Sequence, residues 1–355
     1  MKKLADYSDD INKCSKCGLC QAACPIYKLT GNDCAVSRGK FVMLDGVIKG
    51  DLQLNKNINK YLEMCLKCGK CTNFCPSGID VCKIFRIAKH EYLKKSLEGK
   101  IIKFLQSRLI FDNLINLFNR KVKNNTTSNT EILYFKGCAE KIFPSNTKAV
   151  ETILNSCDYK ILEKDFQCCG VPFLASGNLE RYEEAKKFNL DIINNYSGDY
   201  ILTDCSSCES ALNNYTGLNK KVINTNDFIT EQKLKFIFNK KQIVTFHKPC
   251  HLKDDSFLVK ILENCENVEY RKMPNYDECC GFAGQFAVTN KKLSKQLTRQ
   301  KAKSAIATGA DIILTTCPAC ILGIKEGLLQ EKGLFGEKPK VMYISEFLAK
   351  ATITR

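Results

Sequence analysis

Apolar and polar residues follow two different patterns along this chain. From residue 131 onward, short apolar runs such as EILYF, YKILEK and DYILTD alternate with longer segments of helical periodicity. Short apolar runs predict buried strands, and strands that alternate with helices predict parallel sheets covered on both faces. Ahead of residue 131 the apolar residues recur mainly at helical spacing. We therefore predict a helical front domain followed by an α/β region.

The α/β region repeats itself. Cys138 and Cys250 lie 112 residues apart, and the later pair Cys205 and Cys317 has the same offset. An offset held across several cysteines indicates that one unit has been duplicated. We predict a first α/β domain over 131–240 and a second over 241–355, each with a parallel sheet.

The front of the chain is predicted to end in a helix and a linker. Segment 101–120 is amphipathic, with one apolar stripe formed by Phe104, Phe111, Ile115 and Phe118. This stripe fits a helix packed on the core, and it also fits a basic helix on a membrane or a partner subunit. Residues 122–130 are polar and without periodicity, which is typical of a linker. The prediction is a domain over 1–100 and a helix with linker over 101–130.

Two cysteine runs give the front domain its chemistry. Residues 14–25 read CSKCGLCQAACP and residues 65–76 read CLKCGKCTNFCP. Each run has the spacing of a protein with two [4Fe-4S] clusters, in which the fourth cysteine ligates the other cluster. Zinc, the alternative, favours paired C-x2-C units in a closed set of four ligands. We predict one cluster on Cys14, Cys17, Cys20 and Cys75, and a second on Cys65, Cys68, Cys71 and Cys24.

Each α/β repeat carries five further cysteines in one pattern. Adjacent cysteines make a strained disulfide, and they suit a multi-iron site in which one thiolate bridges two metals. Four of the ten directly follow predicted strands, where functional groups of parallel sheets collect. We predict additional iron–sulfur clusters on these ten, leave open whether both repeats are filled, and predict no catalytic residue. The ten are Cys138, Cys168, Cys169, Cys205, Cys208, Cys250, Cys279, Cys280, Cys317 and Cys320.

The cysteine content and the first residues of the chain predict the cellular compartment. The chain has 22 cysteines among 355 residues, placed as metal ligands, and its first residues lack the apolar stretch of a signal peptide. No apolar window is long enough to span a membrane. We expect a cytoplasmic protein, with peripheral association at the inner face of the membrane left open. The net charge of +16 is spread along the chain, which argues against a nucleic-acid surface.

The motifs resemble a known family. The segments at 14–31, 37–50 and 65–79 are similar, one after another, to the glycolate oxidase iron–sulfur subunit. The five-cysteine unit resembles the cysteine-rich domain that this family shares with heterodisulfide reductase subunits and with lactate dehydrogenase iron–sulfur subunits. The motifs DECCGFAGQF at 277–286 and ILTTCPAC at 313–320 support the same resemblance. All ten cysteines are present, whereas glycolate oxidase subunits often keep fewer.

The resemblance implies an electron-transfer subunit of a glycolate oxidase or (R)-lactate dehydrogenase type of oxidoreductase. An FAD-containing partner subunit would oxidise the 2-hydroxy acid, and this chain would carry the electrons through two [4Fe-4S] clusters to a quinone or another carrier. The alternative is a heterodisulfide reductase-like subunit that reduces a disulfide at a non-cubane cluster. Neither interpretation involves nucleic acid.

Several other residues have two interpretations. His247 and His251 flank Cys250 and either contact a cluster, as donors or proton relays, or are structural. Arg38 and Lys40 either donate to cluster sulfurs or face solvent. His90, on a lysine-rich helix, is predicted at the surface. Four cysteines outside the predicted sites are expected to be small buried hydrophobes: Cys34, Cys82, Cys157 and Cys265.

Overall fold

The structure, a computed structural model, describes residues 2–119 and 130–355. Its residues group into two units. The first comprises the chain up to Ser107 together with Pro172–Tyr182 and Cys279–Thr298. The second comprises Arg108–Val171, Glu183–Glu278 and Arg299–Arg355. The predicted linker at 122–130 lies, apart from Thr130, outside the described residues, and the domain boundaries given above remain predictions.

Regular structure covers most of the described chain. Short 3₁₀ turns occur at Leu4–Tyr7 and Asp33–Ala35, and a π-helical turn at Arg108–Asp112. The strands are β1 Thr130–Tyr134, β2 Tyr159–Glu163, β3 Tyr200–Thr203, β4 Lys221–Asn224, β5 Lys235–Phe246, β6 Cys265–Tyr270, β7 Ile312–Thr315, β8 Lys340–Tyr343 and β9 Thr352–Thr354. The helices are α1 Ser8–Asn12, α2 Leu19–Ala23, α3 Pro25–Thr30, α4 Ser37–Lys49, α5 Lys56–Glu63, α6 Lys70–Asn73, α7 Val81–Lys95, α8 Leu97–Leu105, α9 Asn113–Leu117, α10 Cys138–Ile142, α11 Ser145–Asn155, α12 Val171–Ser176, α13 Leu179–Asn194, α14 Ser206–Leu212, α15 Thr225–Glu231, α16 Phe257–Glu263, α17 Gln285–Thr289, α18 Lys291–Ile306, α19 Pro318–Lys332 and α20 Ile344–Leu348.

The first unit is built around α4 and α7. Helix α7 begins at its cap Asp80, whose carboxylate accepts a hydrogen bond from the amide of Lys83 at 3.0 Å. Phe41 on α4 packs against Phe85 on α7 with ring centroids 5.5 Å apart. These side chains belong to one apolar cluster, and half-buried cysteines of both predicted cluster sites pack against it. The core thus holds the short cysteine loops in place.

The second unit contains both predicted sheets. The first sheet has the order β2-β1-β3-β4 and every pairing in it is parallel. The second sheet has the order β6-β5-β7-β8, also parallel, and β9 adds an antiparallel pairing to β5. The predicted fold class, a helical di-cluster domain followed by duplicated α/β domains, is confirmed. In both sheets the carboxyl ends of the parallel strands lie at one edge, which is where the cysteines follow.

Element boundaries differ from the sequence prediction in three places. The sequence pattern predicts a helix from residue 251, but the helix begins only at Phe257. The pattern also predicts one helix over 285–308, which the structure divides at Asn290 into α17 and α18. Strand β5 is 12 residues long, and its first three residues pair with β9, which the sequence pattern did not indicate. None of these differences changes the order of strands and helices.

Segment 101–120 is not one helix packed on the core. It is divided among α8, the π-helical turn and α9, of which α8 ends inside the first unit. Phe104 on α8 is 66% exposed, and in the second unit Phe118 is 54% exposed while Ile115 is buried. The predicted stripe therefore does not pack as one face. Within the described residues, no helix combines the length and apolarity needed to cross a membrane.

Candidate iron–sulfur sites

The two front cysteine loops have the same backbone conformation. Lys16 and Gly18 in the first loop have φ values of 55° and 86°, and Lys67 and Gly69 in the second have 54° and 75°. This alternation turns backbone amides toward the thiols, and the amide of Lys67 donates to Cys65 Sγ at 3.4 Å. Glycine is needed where φ is strongly positive. Amide donors of this kind stabilise thiolate charge.

The first front site is a cavity lined by the four cysteines of one predicted cluster. Its cationic lining residues are Lys16 and Arg38. Arg38 also binds Asp33 at 2.9 Å, and its side chain is 32% exposed. The amide of Leu19 donates to Cys17 and lowers the pKa of that thiol. The cysteines that meet here are Cys14, Cys17, Cys20 and Cys75, with Cys71 beside them.

The second front site brings together the other predicted set. Cys24 belongs to the first run, but it borders the cavity that contains the thiols of the second run. The predicted ligand set, in which each run supplies one cysteine to the other cluster, requires this position. Burial raises the pKa of Cys24, and the nearby Lys40 opposes that effect. The residues around this cavity include Cys24, Cys65, Cys68 and Cys71, with Lys40, Lys67, Lys70 and Cys82.

Each front cavity is therefore lined by the four thiols of one predicted cluster and one further thiol, and by no carboxylate. This donor set fits a [4Fe-4S] cluster, whose ligands are four cysteine thiolates. Six of the eight thiols come from two loops of the same shape, and the fourth ligand of each site comes from the other run. The predicted ligand sets agree with this arrangement, and ligation itself remains a proposal.

In the second unit, the first repeat gathers its five thiols into one chain of contacts. Cys138 begins α10 and Cys205 caps α14, both directly past strands of the first sheet. Cys138 Sγ and Cys168 Sγ lie 3.5 Å apart. Hydrogen bonds then join Cys168 to Cys169, Cys169 to Cys208, and Cys208 to Cys205. The motif predicts a helix that begins after Cys208, but the helix begins at Ser206 and Cys208 lies within it.

The electrostatics of this five-thiol site favour thiolate at its centre. Hydrogen bonds from Cys168 and Cys208 lower the pKa of Cys169 to about 6. The hydrogen bond with Cys168, together with burial, raises the pKa of Cys138 well above its usual value. Packing is tight here, because a Cβ on Gly137 would lie 2.9 Å from Cys208 Sγ. Gly170, after the adjacent pair, has a φ of 86°, as its place in the motif indicated.

Buried acids surround the five-thiol site, and sequence reasoning missed them. Glu140 accepts a hydrogen bond from the Tyr134 hydroxyl at 2.7 Å, and burial raises the pKa of Glu140 to about 8. Asp204, directly before Cys205, accepts from Ser345 at 2.6 Å, and burial raises the pKa of Asp204 to about 7. The corresponding residues of the second repeat, Leu252 and Thr316, carry no acid. Comparing the repeats position by position would have revealed this difference.

An open cavity of about 440 Å³ reaches two of these thiols. Cys138 and Cys168 border it, and Arg108 and Lys141 supply positive charge. Lys141 is 5% exposed and donates to the carbonyl of Phe166 at 2.6 Å. Amide side chains and two aspartates complete the lining, namely Asn113, Asn116, Asn119, Gln167, Asp112 and Asp165. A small polar molecule could approach the thiols by this route.

The second repeat places its cysteines in both units. Cys317 caps α19, and a hydrogen bond from Cys320 in that helix lowers the pKa of Cys317 to about 7. Cys250 follows β5 in the same unit. Cys279 and Cys280 are buried in the first unit, where Gly281 has a φ of 83°. A Cβ on this glycine would lie 2.4 Å from the Cβ of Leu297.

The flanking histidines have different surroundings. His247 is fully buried, its Nδ1 lies 3.1 Å from the carbonyl oxygen of Tyr276, and burial lowers its pKa to about 3. His251 Nδ1 lies 3.0 Å from Ser207 Oγ, which also lies 3.7 Å from Cys317 Sγ. Ser207 therefore joins the two repeats between their cysteine motifs.

The prediction of a surface His90 is wrong: this residue is 2% exposed and its Nδ1 lies 3.0 Å from the carbonyl oxygen of Gly177. Its helix is lysine-rich, but other residues of the same unit cover it. Of the four remaining cysteines, Cys82 and Cys157 are buried, while Cys34 and Cys265 are half-buried. Cys82 hydrogen-bonds Cys71 of the second front site, a contact that its spacing did not indicate.

Comparisons with known proteins identify the domains that contain these cysteines. Residues 10–79 match the 4Fe-4S dicluster domain, and residues 132–213 and 244–325 each match the cysteine-rich domain. A crystal structure of a hypothetical protein from Helicobacter pylori matches with a TM-score of 0.55 and 10% identity, covering 88% of this chain and 67% of that one. This likeness concerns the fold.

Three relatives with descriptive names match most of this chain or most of their own length. A fumarate reductase (CoM/CoB) subunit of Methanothermobacter marburgensis is 27% identical, covering 98% of this chain and 74% of the relative. The probable glycolate oxidase iron-sulfur subunit of Bacillus subtilis is 22% identical, over 99% and 96%. Lactate utilization protein A of Bacillus thuringiensis is 28% identical, over 61% and 98%. The chain belongs to the family of iron–sulfur proteins that join a 4Fe-4S dicluster domain to two cysteine-rich domains, as its motifs predicted.

Proposed function

We propose that this chain is the iron–sulfur electron-transfer subunit of a 2-hydroxy-acid dehydrogenase complex acting on glycolate or lactate. The observation that carries the proposal is the pair of front cavities, each bordered by the four cysteines of one predicted cluster. When bound, [4Fe-4S] clusters supply one-electron transfer with little rearrangement. The relatives named for glycolate oxidase and lactate utilization support the choice of substrate class.

The protein's own residues suit this role. All eight front cysteines are half-buried or exposed, so the sites lie close enough to the surface for electron exchange with another protein. The loop amides hold thiolate charge, and helices α4 and α7 fix the loops. The sequence contains no dinucleotide fingerprint, so the proposal assigns hydroxy-acid oxidation to an FAD-containing partner subunit. A quinone or another carrier would accept the electrons, in the cytoplasm or at its membrane face.

The test uses the full chain prepared without oxygen. Mixed with an FAD-containing glycolate or lactate dehydrogenase subunit from the same cells, it should lose its visible cluster absorbance on addition of the hydroxy acid, and an electron-spin signal of reduced [4Fe-4S] clusters should appear. The matched variant Cys68→Ser should weaken that signal, whereas Cys34→Ser should not. Intact clusters that neither hydroxy acid reduces in the presence of the flavoprotein would contradict the proposal.

The 440 Å³ cavity favours a second candidate, the reduction of a small disulfide at the five-thiol site. Two electrons and two protons would convert the disulfide to two thiols. Cys138 and Cys168 lie at the cavity, where Lys141 would bind an acidic group of the substrate close to the thiols, while Asp112 and Asp165 balance the charge of the lining as a whole. In the same preparation, chemically reduced protein should then be re-oxidised by a small anionic disulfide, and Lys141→Met should slow that reaction. Re-oxidation unaffected by any disulfide would remove this candidate.

A further inference from the structure

Lys40 is a buried ammonium group without a carboxylate partner. Its side chain is 1% exposed, and its Nζ donates to the backbone carbonyl of Met64 at 3.2 Å. The Phe85 ring centroid lies 5.2 Å from the same nitrogen. Among residues 2–119 and 130–355, no aspartate or glutamate forms a salt bridge with it. An unpaired buried charge is strongly destabilising, so a structure that keeps one generally supplies an opposite charge nearby.

The groups near Lys40 that would be negatively charged as cluster ligands are the thiols of the second front site. Lys40 borders the same cavity as Cys24, Cys65 and Cys68, and its hydrogen-bond acceptor Met64 directly precedes Cys65. Four thiolates on a cubane core of charge 2+ carry about −2 in total. A bound cluster would therefore provide the charge that Lys40 lacks.

A second buried lysine, Lys89, does not border the cavity, but its charge interacts with that of Cys65. Lys89 is 2% exposed, and it binds Glu63 at 3.2 Å and Gln285 at 2.8 Å. Because Glu63 neutralises most of its charge, we assign Lys89 a smaller effect than Lys40.

The first front site lacks an equivalent. Of its two cationic lining residues, Lys16 is exposed, so that solvent screens its charge, and Arg38 is paired with Asp33. A positive charge close to a cluster favours the reduced form, which carries one more negative charge. The two sites, so similar in their loops, therefore differ in the charge that they present to a cluster.

We propose that Lys40 is the counter-ion of the second cluster, and that it makes the cluster at Cys24, Cys65, Cys68 and Cys71 the more easily reduced of the two. This inference rests on the proposed binding of two four-iron clusters. It also gives the order of reduction: electrons that enter the front domain reduce the second cluster before the first.

The experiment is a redox titration of the anaerobic holoprotein followed by electron-spin resonance, with iron counted for each sample. Lys40→Met keeps the apolar stem and removes the charge. We expect the one-electron reduction constant of one cluster to fall about tenfold, which corresponds to 59 mV, while the other cluster is unchanged. Cys68→Ser, which alters the spectrum of the second cluster, identifies which potential has moved.

The control is Lys49→Met on the same helix, because Lys49 is an exposed lysine paired with Asp45, and it should move neither potential. If Lys40→Met loses about four irons, recovery of that iron in Lys40→Arg supports the proposal and equal loss in both variants contradicts it. Two intact clusters with unchanged potentials in Lys40→Met would overturn the inference while leaving the proposed function standing. Wild-type protein without clusters would instead refute the proposed function.

Discussion

The front cysteine sites and the five-thiol site of the first repeat hold sulfur in opposite ways. The front thiols sit on short loops and are half-buried or exposed, whereas four of the five thiols in the first repeat are buried. The front loops carry lysines, and the five-thiol site carries buried acids, Glu140 and Asp204. The front thus suits electron exchange with a partner. The five-thiol site suits chemistry on a small molecule that enters the cavity, where buried acids can donate protons to it.

The physical reason lies in the elements that carry the thiols. A loop with alternating φ can wrap a cluster using residues three apart, so the front sites need little beyond their own sequence. The thiols of the five-thiol site follow the ends of separate parallel strands, so this site depends on the whole sheet being formed. We therefore expect a mutation in one kind of site to change the iron content of that site and not of the other.

The largest expected effect is loss of a whole front cluster. Cys68→Ala removes one of four predicted ligands from the second site, so we expect about four fewer irons per chain. Cys34→Ala, a half-buried cysteine outside the predicted sites, should leave the iron content unchanged. Iron analysis with electron-spin spectra measures both. Full iron in Cys68→Ala would contradict the ligand assignment.

Removing a predicted ligand of the five-thiol site should leave the front clusters unchanged. Cys169→Ser replaces the central thiolate of the five, so we expect loss of the iron above about eight per chain, with the front spectra retained. Cys157→Ser is the matched control, since Cys157 is buried in the same unit and its thiol bonds the carbonyl of Ile153 at 3.4 Å. Altered front spectra in Cys169→Ser would show that the two kinds of site are not separate.

The buried acid should make stability depend on pH. Glu140 has a folded-state pKa of about 8 against an ordinary value of 4.5, so its stabilising effect is complete below pH 4.5 and is lost as pH rises toward 8. Glu140→Gln, neutral at every pH, should be more stable than wild type at pH 8.5 by about 4 kcal/mol, and close to it at pH 5.

Thermal unfolding of anaerobic protein at the two pH values measures this difference. The exposed Glu131→Gln is the control and should show no such dependence on pH. An equal change in stability at pH 5 and pH 8.5 for Glu140→Gln would mean that the carboxyl group is not protonated in the folded protein.

The smallest expected effect concerns the contact between the repeats. Ser207→Ala removes the hydroxyl that lies 3.0 Å from His251 Nδ1, and a hydrogen bond of this kind contributes about 1 kcal/mol. We expect a lower unfolding midpoint without loss of iron. Ser210→Ala on the same helix should leave the midpoint nearly unchanged. Iron loss in Ser207→Ala would instead indicate that the serine supports Cys317 directly.

Much of the architecture could be predicted from the sequence because its signals are local. Cysteine spacing within a run limits which thiols can share one loop, and the structure brings the predicted sets around two cavities. Alternating strands and helices predicted parallel sheets, and the constant offset predicted the duplication. The motifs also identified the family. Each of these inferences needs only residues that are close in the chain or repeated in it.

Only the tertiary structure decided the surroundings of those thiols. Lys40 is two residues from Arg38, yet one is buried and the other is paired near solvent. The pKa values of Glu140 and Asp204 are raised because residues distant in the chain exclude water from them. His90 is buried for the same reason. Segment 279–298 joins the first unit although it lies in the second repeat. Burial and charge are sums over residues far apart in the chain, and sequence spacing alone does not determine them.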